Sequence, residues 1–281
     1  MTKSNIRKYI KRGISLLVVL YVVACILLYS FQEKLLFHPE KVGKSVKYAY
    51  SQNFEEQFYQ VDDETELNGL LFKADSVSGD RKLVFYIHGN AENLTTAGGV
   101  ASSFTDRGYD LFIYDFRGFG KSDGTIDSEA RLFADAQILY SQLKRSYDES
   151  NITVLGYSIG TGIASWLAAK NHPEQLILQA PYFSMKDMMR QKYPIFPTWL
   201  LHYPFETNER LKETTCPIYI FHGTKDTTIP YASSTKLKQI VPAIDLTPIP
   251  DLGHTGFMKN HIYQTKLNEI LSNPVTEKTV E

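Results

Sequence analysis

Apolar residues are grouped along this chain in three different ways. The first group is one uninterrupted run near the N-terminus, over residues 14–31. The second is a pair of alternating segments, around residues 57–61 and 67–73, which predicts two antiparallel strands. The third is a series of short, nearly continuous apolar runs separated by helical stretches, which predicts parallel strands buried on both faces. These runs cover residues 83–87, 111–114, 152–155, 176–179, 218–221 and 244–249.

Two further segments complete the predicted domain, which we place at residues 51–272. Residues 128–145 carry apolar side chains at helical spacing and predict an amphipathic helix packed on the sheet. Residues 181–215 are rich in methionine and aromatic residues and are interrupted by prolines. We expect this segment to form a short cap over a binding site; the alternative is an excursion that only packs on the sheet. Residues 273–281 are polar, and we expect a loose tail.

Composition narrows the class of protein. With 281 residues, the chain is long enough for one large α/β domain rather than two ordinary ones. A net charge of −1 gives no electrostatic reason to expect nucleic-acid binding. The two cysteines, Cys25 and Cys216, form no disulfide framework, and we do not expect them to pair.

The N-terminal run predicts a membrane anchor over residues 1–31, followed by a connector over residues 32–50. Basic residues precede the run without any acidic residue among them. Residues 14–31 are long enough to span a bilayer, and the basic flank should stay on the cytoplasmic side. The rest of the chain then lies on the extracytoplasmic side, which is the periplasm in a bacterium. Residues 22–25 also resemble a lipobox, so a lipoprotein anchored at Cys25 is an alternative, although the apolar run continues beyond Cys25.

The pentapeptide Gly156-Tyr157-Ser158-Ile159-Gly160 predicts a nucleophile elbow. It follows a β-rich run and precedes a segment of small residues, which is the order strand, tight turn, helix. Such a turn holds its apex serine in a strained backbone conformation, and side chains two residues away would collide with the strand or the helix. Glycine at both flanks satisfies that requirement, so we expect Ser158 to be the nucleophile of a serine hydrolase.

A serine nucleophile needs a base, and the base needs an orienting acid. In folds with this elbow, the acid and the base follow the serine along the chain, each in a loop after a later strand. Asp226 follows the run at 218–221, and His254 follows the run at 244–249. We therefore predict the set Ser158, Asp226 and His254, with Asp251 as a competitor for the acid.

Acyl transfer also needs donors for the oxyanion of the tetrahedral intermediate. We expect these to be the backbone N–H groups of Ile159, which follows the nucleophile, and of Asn90, in the loop after residues 83–87. The loop after residues 111–114 contains alternating glycines but lacks the order of a phosphate-binding Walker loop. We interpret it as a structural turn in which Asp115 and Arg117 pair. The chemistry needs no cofactor and no metal.

Several motifs together resemble the α/β-hydrolase superfamily, and more narrowly its membrane-anchored branch of small serine hydrolases. They lie at residues 88–93, 114–122, 156–160, 221–226 and 253–254, and the segment 31–39 is similar to that branch too. The resemblance implies a mostly parallel eight-stranded sheet with helices on both faces, the Ser158–Asp226–His254 triad and a mechanism without a cofactor. It also implies esterase, thioesterase or lysophospholipase-like activity.

The sequence therefore predicts a hydrolase of carboxylic esters or thioesters, acting on acyl-chain or lipid-like substrates. Two features favour such substrates: the apolar composition of the cap and the predicted tether beside lipid. Two other functions remain as alternatives. A serine peptidase uses the same fold and triad, and a catalytically silent binding module would keep the fold without the chemistry.

Overall fold

The computed structural model describes residues 3–75 and 79–272, so the tail expected over residues 273–281 lies outside the described residues. Eight strands form one sheet in the order β1-β2-β4-β3-β5-β6-β7-β8. Their bounds are β1 Phe54–Asp62, β2 Thr65–Phe72, β3 Lys82–Ile87, β4 Tyr109–Tyr114, β5 Ile152–Tyr157, β6 Gln175–Gln179, β7 Ile218–Gly223 and β8 Asp245–Ile249.

The pairing of the strands confirms the predicted fold class. The first two strands pair antiparallel, and β2 pairs antiparallel with β4. All the other neighbours, from β4 through β3 and β5 to β8, are parallel. The predicted strand ends are displaced by a few residues, most clearly in β1, which begins at Phe54 rather than at residue 57. Apolar periodicity marks the buried part of a strand and not its hydrogen-bonded ends, which explains the displacement.

Helices cover both faces of the sheet. Their bounds in the described residues are α1 Lys3–Leu36, α2 Leu94–Ala97, α3 Ser102–Thr105, α4 Glu129–Leu143, α5 Gly160–Lys170, α6 Met185–Lys192, α7 Thr207–Glu213, α8 Ala232–Ile240 and α9 His261–Ser272. The predicted amphipathic helix corresponds to α4. Its N-cap is Ser128, whose side chain accepts a hydrogen bond from the N–H of Arg131.

The core lies on both faces of the central strands. Alternate residues of β3 point in opposite directions: Phe85 joins the cluster formed with α4 and α5, and Tyr86 joins the cluster formed with α3 and α9. Both side chains are almost fully buried, as expected for a strand covered on two sides. Because the faces are occupied by packing, the carboxyl edge of the parallel strands is the place left for a site.

The N-terminal helix α1 reaches the domain that contains the sheet. It runs to Leu36, beyond the predicted anchor boundary at residue 31, with non-helical backbone angles at Phe31 (φ −124°, ψ 15°) that mark a kink. After the kink, Gln32 and Phe37 are buried against the domain. Residues 4–36 form a helix long and apolar enough to cross a membrane, and its apolar stretch is not buried in the domain.

The predicted pairing of Asp115 with Arg117 is wrong. The guanidinium of Arg117 instead binds Asp135, with Nε–Oδ2 and Nη2–Oδ1 distances of 2.5 and 2.7 Å, and also contacts Asp62 at 2.8 Å. Asp115 accepts the N–H of Leu94 at 2.9 Å. The side chains of neighbours two apart in a turn need not meet, and the long arginine side chain reaches the better-placed carboxylate of α4.

Candidate active site

Ser158 lies at the apex of a tight turn between β5 and α5. Its φ of +52° is in the left-handed region, which a non-glycine residue adopts only under constraint. The N–H of Ser158 donates to the carbonyl of Gln179 on the neighbouring strand, at 3.0 Å. A Cβ atom at Gly156 would lie 2.6 Å from the Cβ of Ala164, and one at Gly160 would lie 2.6 Å from the carbonyl oxygen of His88. The two flanking glycines are therefore required by close packing.

The structure brings Ser158, His254 and Asp226 into one hydrogen-bonded chain. The distance from His254 Nε2 to Ser158 Oγ is 2.9 Å, and that from His254 Nδ1 to Asp226 Oδ2 is 2.7 Å. Because a carboxylate can only accept, Nδ1 carries the proton and Nε2 is left to accept the serine hydroxyl. This is the arrangement that a general base needs in order to remove the proton of a serine nucleophile.

Asp226 is held in its ionised form. Burial by itself would raise its pKa, but hydrogen bonds from His222, His254 and the N–H of Ile229 outweigh burial and hold the pKa well below its usual value. Oδ1 accepts the N–H groups of Thr228 and Ile229, at 2.8 and 2.9 Å. With Oδ1 occupied in this way, the carboxylate is oriented so that Oδ2 faces the imidazole of His254.

Asp251, the competing acid, lies outside this chain of contacts. Its carboxylate is exposed on the surface and forms an ion pair with Lys225, with an Nζ–Oδ1 distance of 2.7 Å. That ion pair lowers the pKa of Asp251. Of the two carboxylates considered from the sequence, only Asp226 contacts His254.

The two predicted oxyanion donors also lie beside Ser158, since Asn90 and Ile159 line the same cleft as the serine. Neither backbone N–H donates a hydrogen bond to any of the described residues. The side chain of Asn90 makes a different contact, in which its Nδ2 donates to the carbonyl oxygen of Leu36, the last residue of α1, at 3.0 Å. The N–H of His38 donates to the Asn90 carbonyl oxygen at 3.2 Å, so α1 and its exit hold the oxyanion loop.

A cleft of about 520 Å³ leads to Ser158 and His254. Part of its lining comes from the segment predicted to be a cap, residues 181–215, through Met185, Met188, Met189, Tyr193 and Phe196. Another part comes from α1, through Leu28, Gln32, Leu35 and Leu36. The lining is therefore mostly apolar; its polar side chains are Asn90, Ser158 and His254 around the serine, together with Gln32, Lys192, Tyr193 and Thr228. Its shape and chemistry suit an acyl chain. In residues 3–75 and 79–272, no three His, Cys, Asp or Glu side chains are arranged to hold a metal ion.

Sequence reasoning missed three residues of this site. His222 is buried and its Nε2 lies 3.3 Å from Asp226 Oδ2. Tyr157 donates its hydroxyl to the carbonyl of His254 at 3.2 Å and packs its ring beside the imidazole. Gln32 joins α1 to the cap. The one available signal for Gln32 was an amide directly after the apolar run at 14–31, which marks a polar side chain that needs partners.

Comparisons with known proteins agree with this fold. The profile of a hydrolase family described as serine aminopeptidase S33 matches residues 78–206. The lysophosphatidylserine lipase ABHD12 of Danio rerio is 26% identical over 229 residues, which are 70% of this chain and 59% of that protein. The protein of the same name from Xenopus tropicalis is 27% identical over 220 residues, 67% of this chain and 56% of that protein. The chain thus spans less than two thirds of the length of these relatives.

Solved structures show the same architecture. An esterase from Pyrococcus furiosus, Pf2001, superposes with a TM-score of 0.67 at 18% identity, over 85% of this chain and 97% of that one. Est1E from Butyrivibrio proteoclasticus, solved with ferulic acid, gives a TM-score of 0.65 at 17% identity, over 79% of this chain and all of the other. The sheet, the elbow and these likenesses define one class of protein. It is the class of proteins with the α/β-hydrolase fold, which this chain has.

Proposed function

We propose that this protein is a serine hydrolase that cleaves carboxylic esters or thioesters of acyl-chain, lipid-like substrates. The observation that carries the proposal is the hydrogen-bonded chain Ser158–His254–Asp226 at the end of an apolar cleft. The chain of contacts supplies the nucleophile, base and orienting acid of acyl transfer. The cleft supplies a surface on which an acyl chain is removed from water.

The proposed reaction has two stages. Ser158 Oγ attacks the acyl carbonyl carbon while His254 takes the hydroxyl proton, and the N–H groups of Asn90 and Ile159 stabilise the oxyanion. The intermediate collapses, His254 gives its proton to the departing alcohol or thiol, and an acyl-serine remains. A water molecule then attacks that acyl group, His254 takes its proton and returns it to Ser158, and the carboxylic acid leaves.

A serine aminopeptidase is the second candidate, because the matching family profile carries that description. Peptidases that act on a free N-terminus need acidic groups to bind the substrate amine. Of the described residues that line the cleft, none is an Asp or a Glu, and the one with a fixed charge is the cation Lys192. This lining disfavours a cationic substrate end and supports an acyl substrate. The names of the lipase relatives point the same way.

We also propose that α1 anchors the protein in a membrane with the catalytic domain on the extracytoplasmic side. The basic residues before the apolar stretch support this orientation. The alternative remains a lipoprotein attached through Cys25. In either case the cleft, one wall of which is α1, lies beside lipid.

The test is fluorophosphonate labelling of the full-length protein in detergent, followed by kinetics on a series of esters, thioesters and aminoacyl amides. We expect the unmutated protein to be labelled and Ser158→Ala to be unlabelled, with kcat/KM lower by about a thousandfold or more. Ser141→Ala, an exposed serine on α4, is the matched control and should behave like the unmutated protein. Persistent labelling of Ser158→Ala, or faster cleavage of amides than of esters, would overturn the proposal.

A further inference from the structure

One part of the cap carries an exposed apolar surface that the catalytic mechanism does not use. We call residues 193–201 the cap tip; its sequence, Tyr-Pro-Ile-Phe-Pro-Thr-Trp-Leu-Leu, contains no charged residue and lies between Lys192 and His202. Three of its large side chains are mostly exposed: Tyr193 at 58%, Ile195 at 69% and Trp199 at 75%. Contiguous large apolar groups facing water mark an interaction surface.

The cap tip is fixed to α1 along much of its length. The hydroxyl of Tyr21 donates to the carbonyl oxygen of Ile195 at 2.9 Å, and the Tyr21 ring stacks on Phe196 with a centroid distance of 6.0 Å. At the other end, the buried Gln32 donates to the carbonyl of Leu200 at 3.1 Å. The tip therefore runs alongside α1 between the levels of Tyr21 and Gln32.

The level of Tyr21 lies well inside the apolar run of α1. Gln32, the first polar side chain after the run, lies eleven positions after Tyr21, which is about 16 Å of helix. Interfacial segments bury their apolar face only about 5–10 Å deep in a bilayer. If α1 crosses a bilayer, Ile195 and Phe196 are carried past the interface and into the hydrocarbon, even when the helix is tilted.

The backbone of the cap tip suits an environment without water. Pro194 and Pro197 have no N–H group, and the carbonyl of Ile195 is satisfied by Tyr21. Four other N–H groups donate within the cap: those of Tyr193, Phe196, Leu200 and Leu201. Exposed polar backbone is what excludes most loops from lipid. The prolines and these hydrogen bonds remove part of it, while the N–H groups of Ile195, Thr198 and Trp199 donate to none of the described residues.

The catalytic cleft opens between the same two elements. Leu28 of α1 and Phe196 of the cap tip line it together with Ser158. We propose that the cap tip inserts into the lipid leaflet beside α1, and that the acyl substrate reaches Ser158 directly from that leaflet. This inference rests on the proposed function and on α1 as a membrane anchor. The occupant of the exposed surface is thus a phospholipid bilayer.

Tryptophan fluorescence tests the insertion without any assay of activity. The chain has two tryptophans, and Trp166 is stacked on Phe133 in the domain, with a centroid distance of 4.8 Å. The full-length protein is reconstituted into vesicles that contain phospholipids brominated on the acyl chain. We expect bromine to quench a component of the emission that Trp199→Phe removes, while iodide in the water leaves that component unquenched. Quenching of Trp199 by iodide and not by bromine would overturn the proposal.

The substrate route is tested by comparing two esters, a monoacyl lipid held in vesicles and a short-chain ester dissolved in water. The variant is Ile195→Ser combined with Trp199→Ser; neither side chain lines the cleft. The rate of hydrolysis of the vesicle substrate should fall about tenfold or more, because the variant lacks the two large apolar side chains that bind the cap tip to the lipid. The rate on the soluble ester should change less than about twofold. Ile262→Ser, on an isoleucine of α9 that is 42% exposed, should change neither rate.

The outcomes separate this inference from the proposed function. An equal fall on both esters in the double variant would show a structural role for the cap tip and overturn the route, as would an unchanged rate on vesicles. Failure of the unmutated protein to hydrolyse either ester would contradict the proposed function. The quenching experiment would then still decide whether the tip lies in lipid.

Discussion

The two buried carboxylates near the carboxyl edge of the sheet, Asp226 and Asp115, have opposite protonation behaviour. Asp226 accepts several hydrogen bonds, which keep its pKa low despite burial. Asp115 is completely buried with one oxygen, Oδ2, unpaired in the described residues, and burial raises its pKa to about 7. Burial also lowers the pKa of the neighbouring His88 to about 4, so this histidine is neutral near pH 7. Asp226 therefore keeps its negative charge beside His254, whereas Asp115 binds a proton up to a pH of about 7.

Asp115 should make stability depend on pH. Its folded pKa lies above the ordinary value of about 4, so the folded state binds the proton more tightly, and stability falls as pH rises from about 4 to about 7. Ionisation of Asp115 lowers the free energy of unfolding by at most about 4 kcal/mol across this pH interval. In Asp115→Asn this contribution disappears, and the melting temperature of the variant relative to the unmutated protein should rise across that interval. Asp123→Asn, on a more exposed carboxylate of the same loop, is the control. A constant difference between Asp115→Asn and the unmutated protein would show that Asp115 does not titrate there.

Asn90 should act on the oxyanion loop through its side chain. Asn90→Ala keeps the backbone N–H but removes the hydrogen bond from Nδ2 to the Leu36 carbonyl, which fixes that N–H relative to Ser158. Because the oxyanion exists only in the transition state, kcat should fall about tenfold to a hundredfold with little change in KM. The measurement is steady-state kinetics on a soluble ester. Asn90→Asp should retain the loss, since a carboxylate cannot donate to that carbonyl; recovery in this variant would contradict the positioning role.

At the scale of elements, α1 is both a candidate anchor and part of the site. The apolar pattern over residues 14–31 was enough to predict a helix, but not its contacts with a segment some 170 positions later in the chain. The buried Gln32 makes those contacts: Nε2 donates to the carbonyls of Tyr29 and Leu200, and Oε1 accepts the N–H of His202. Long-range pairing of this kind depends on the tertiary arrangement of the cap, which local periodicity does not encode.

Replacing Gln32 should loosen the junction between α1 and the cap. Gln32→Ala leaves the Leu200 carbonyl and the His202 N–H without partners in a buried place, at a cost of about 1–3 kcal/mol. The melting temperature should fall by roughly 2–10 °C. Hydrolysis of long-chain esters should weaken more than that of short ones, because α1 forms a wall of the cleft.

Differential scanning fluorimetry of the purified protein and an acyl-length series measure these two effects of Gln32→Ala. Lys34→Gln, an exposed change two residues further along the helix, should leave both unchanged. An unaltered melting temperature in Gln32→Ala would mean that α1 and the cap are not joined through this side chain.

For the molecule as a whole, the parallel strands and the loops that carry Ser158, Asp226 and His254 were predictable because short apolar runs and their following loops are local features. The sequence left Asp226 and Asp251 as alternatives for the acid. The parallel pairing of β7 with β8 places the loop after β7, which carries Asp226, beside the loop that carries His254. The pairing of Arg117 with Asp135 was not predictable. It joins a loop to α4, and the sequence pattern does not say which side of α4 faces that loop. The roles of the three site residues remain predictions until they are measured.

The form of the mature N-terminus is the remaining whole-molecule prediction. Cleavage at a lipobox would remove residues 1–24 and with them Tyr21, whose hydroxyl and ring hold Ile195 and Phe196. Because these contacts join the apolar run to the cap, we expect the run to be retained and the membrane association to be unaffected by Cys25→Ser. Trypsin digestion of the membrane fraction should then yield the peptide of residues 13–34, which continues through Cys25 between the cleavage sites at Arg12 and Lys34. A diacylglycerol-modified peptide beginning at Cys25, together with release or misprocessing of Cys25→Ser, would instead establish the lipoprotein and require the cap tip to be held by the attached lipid.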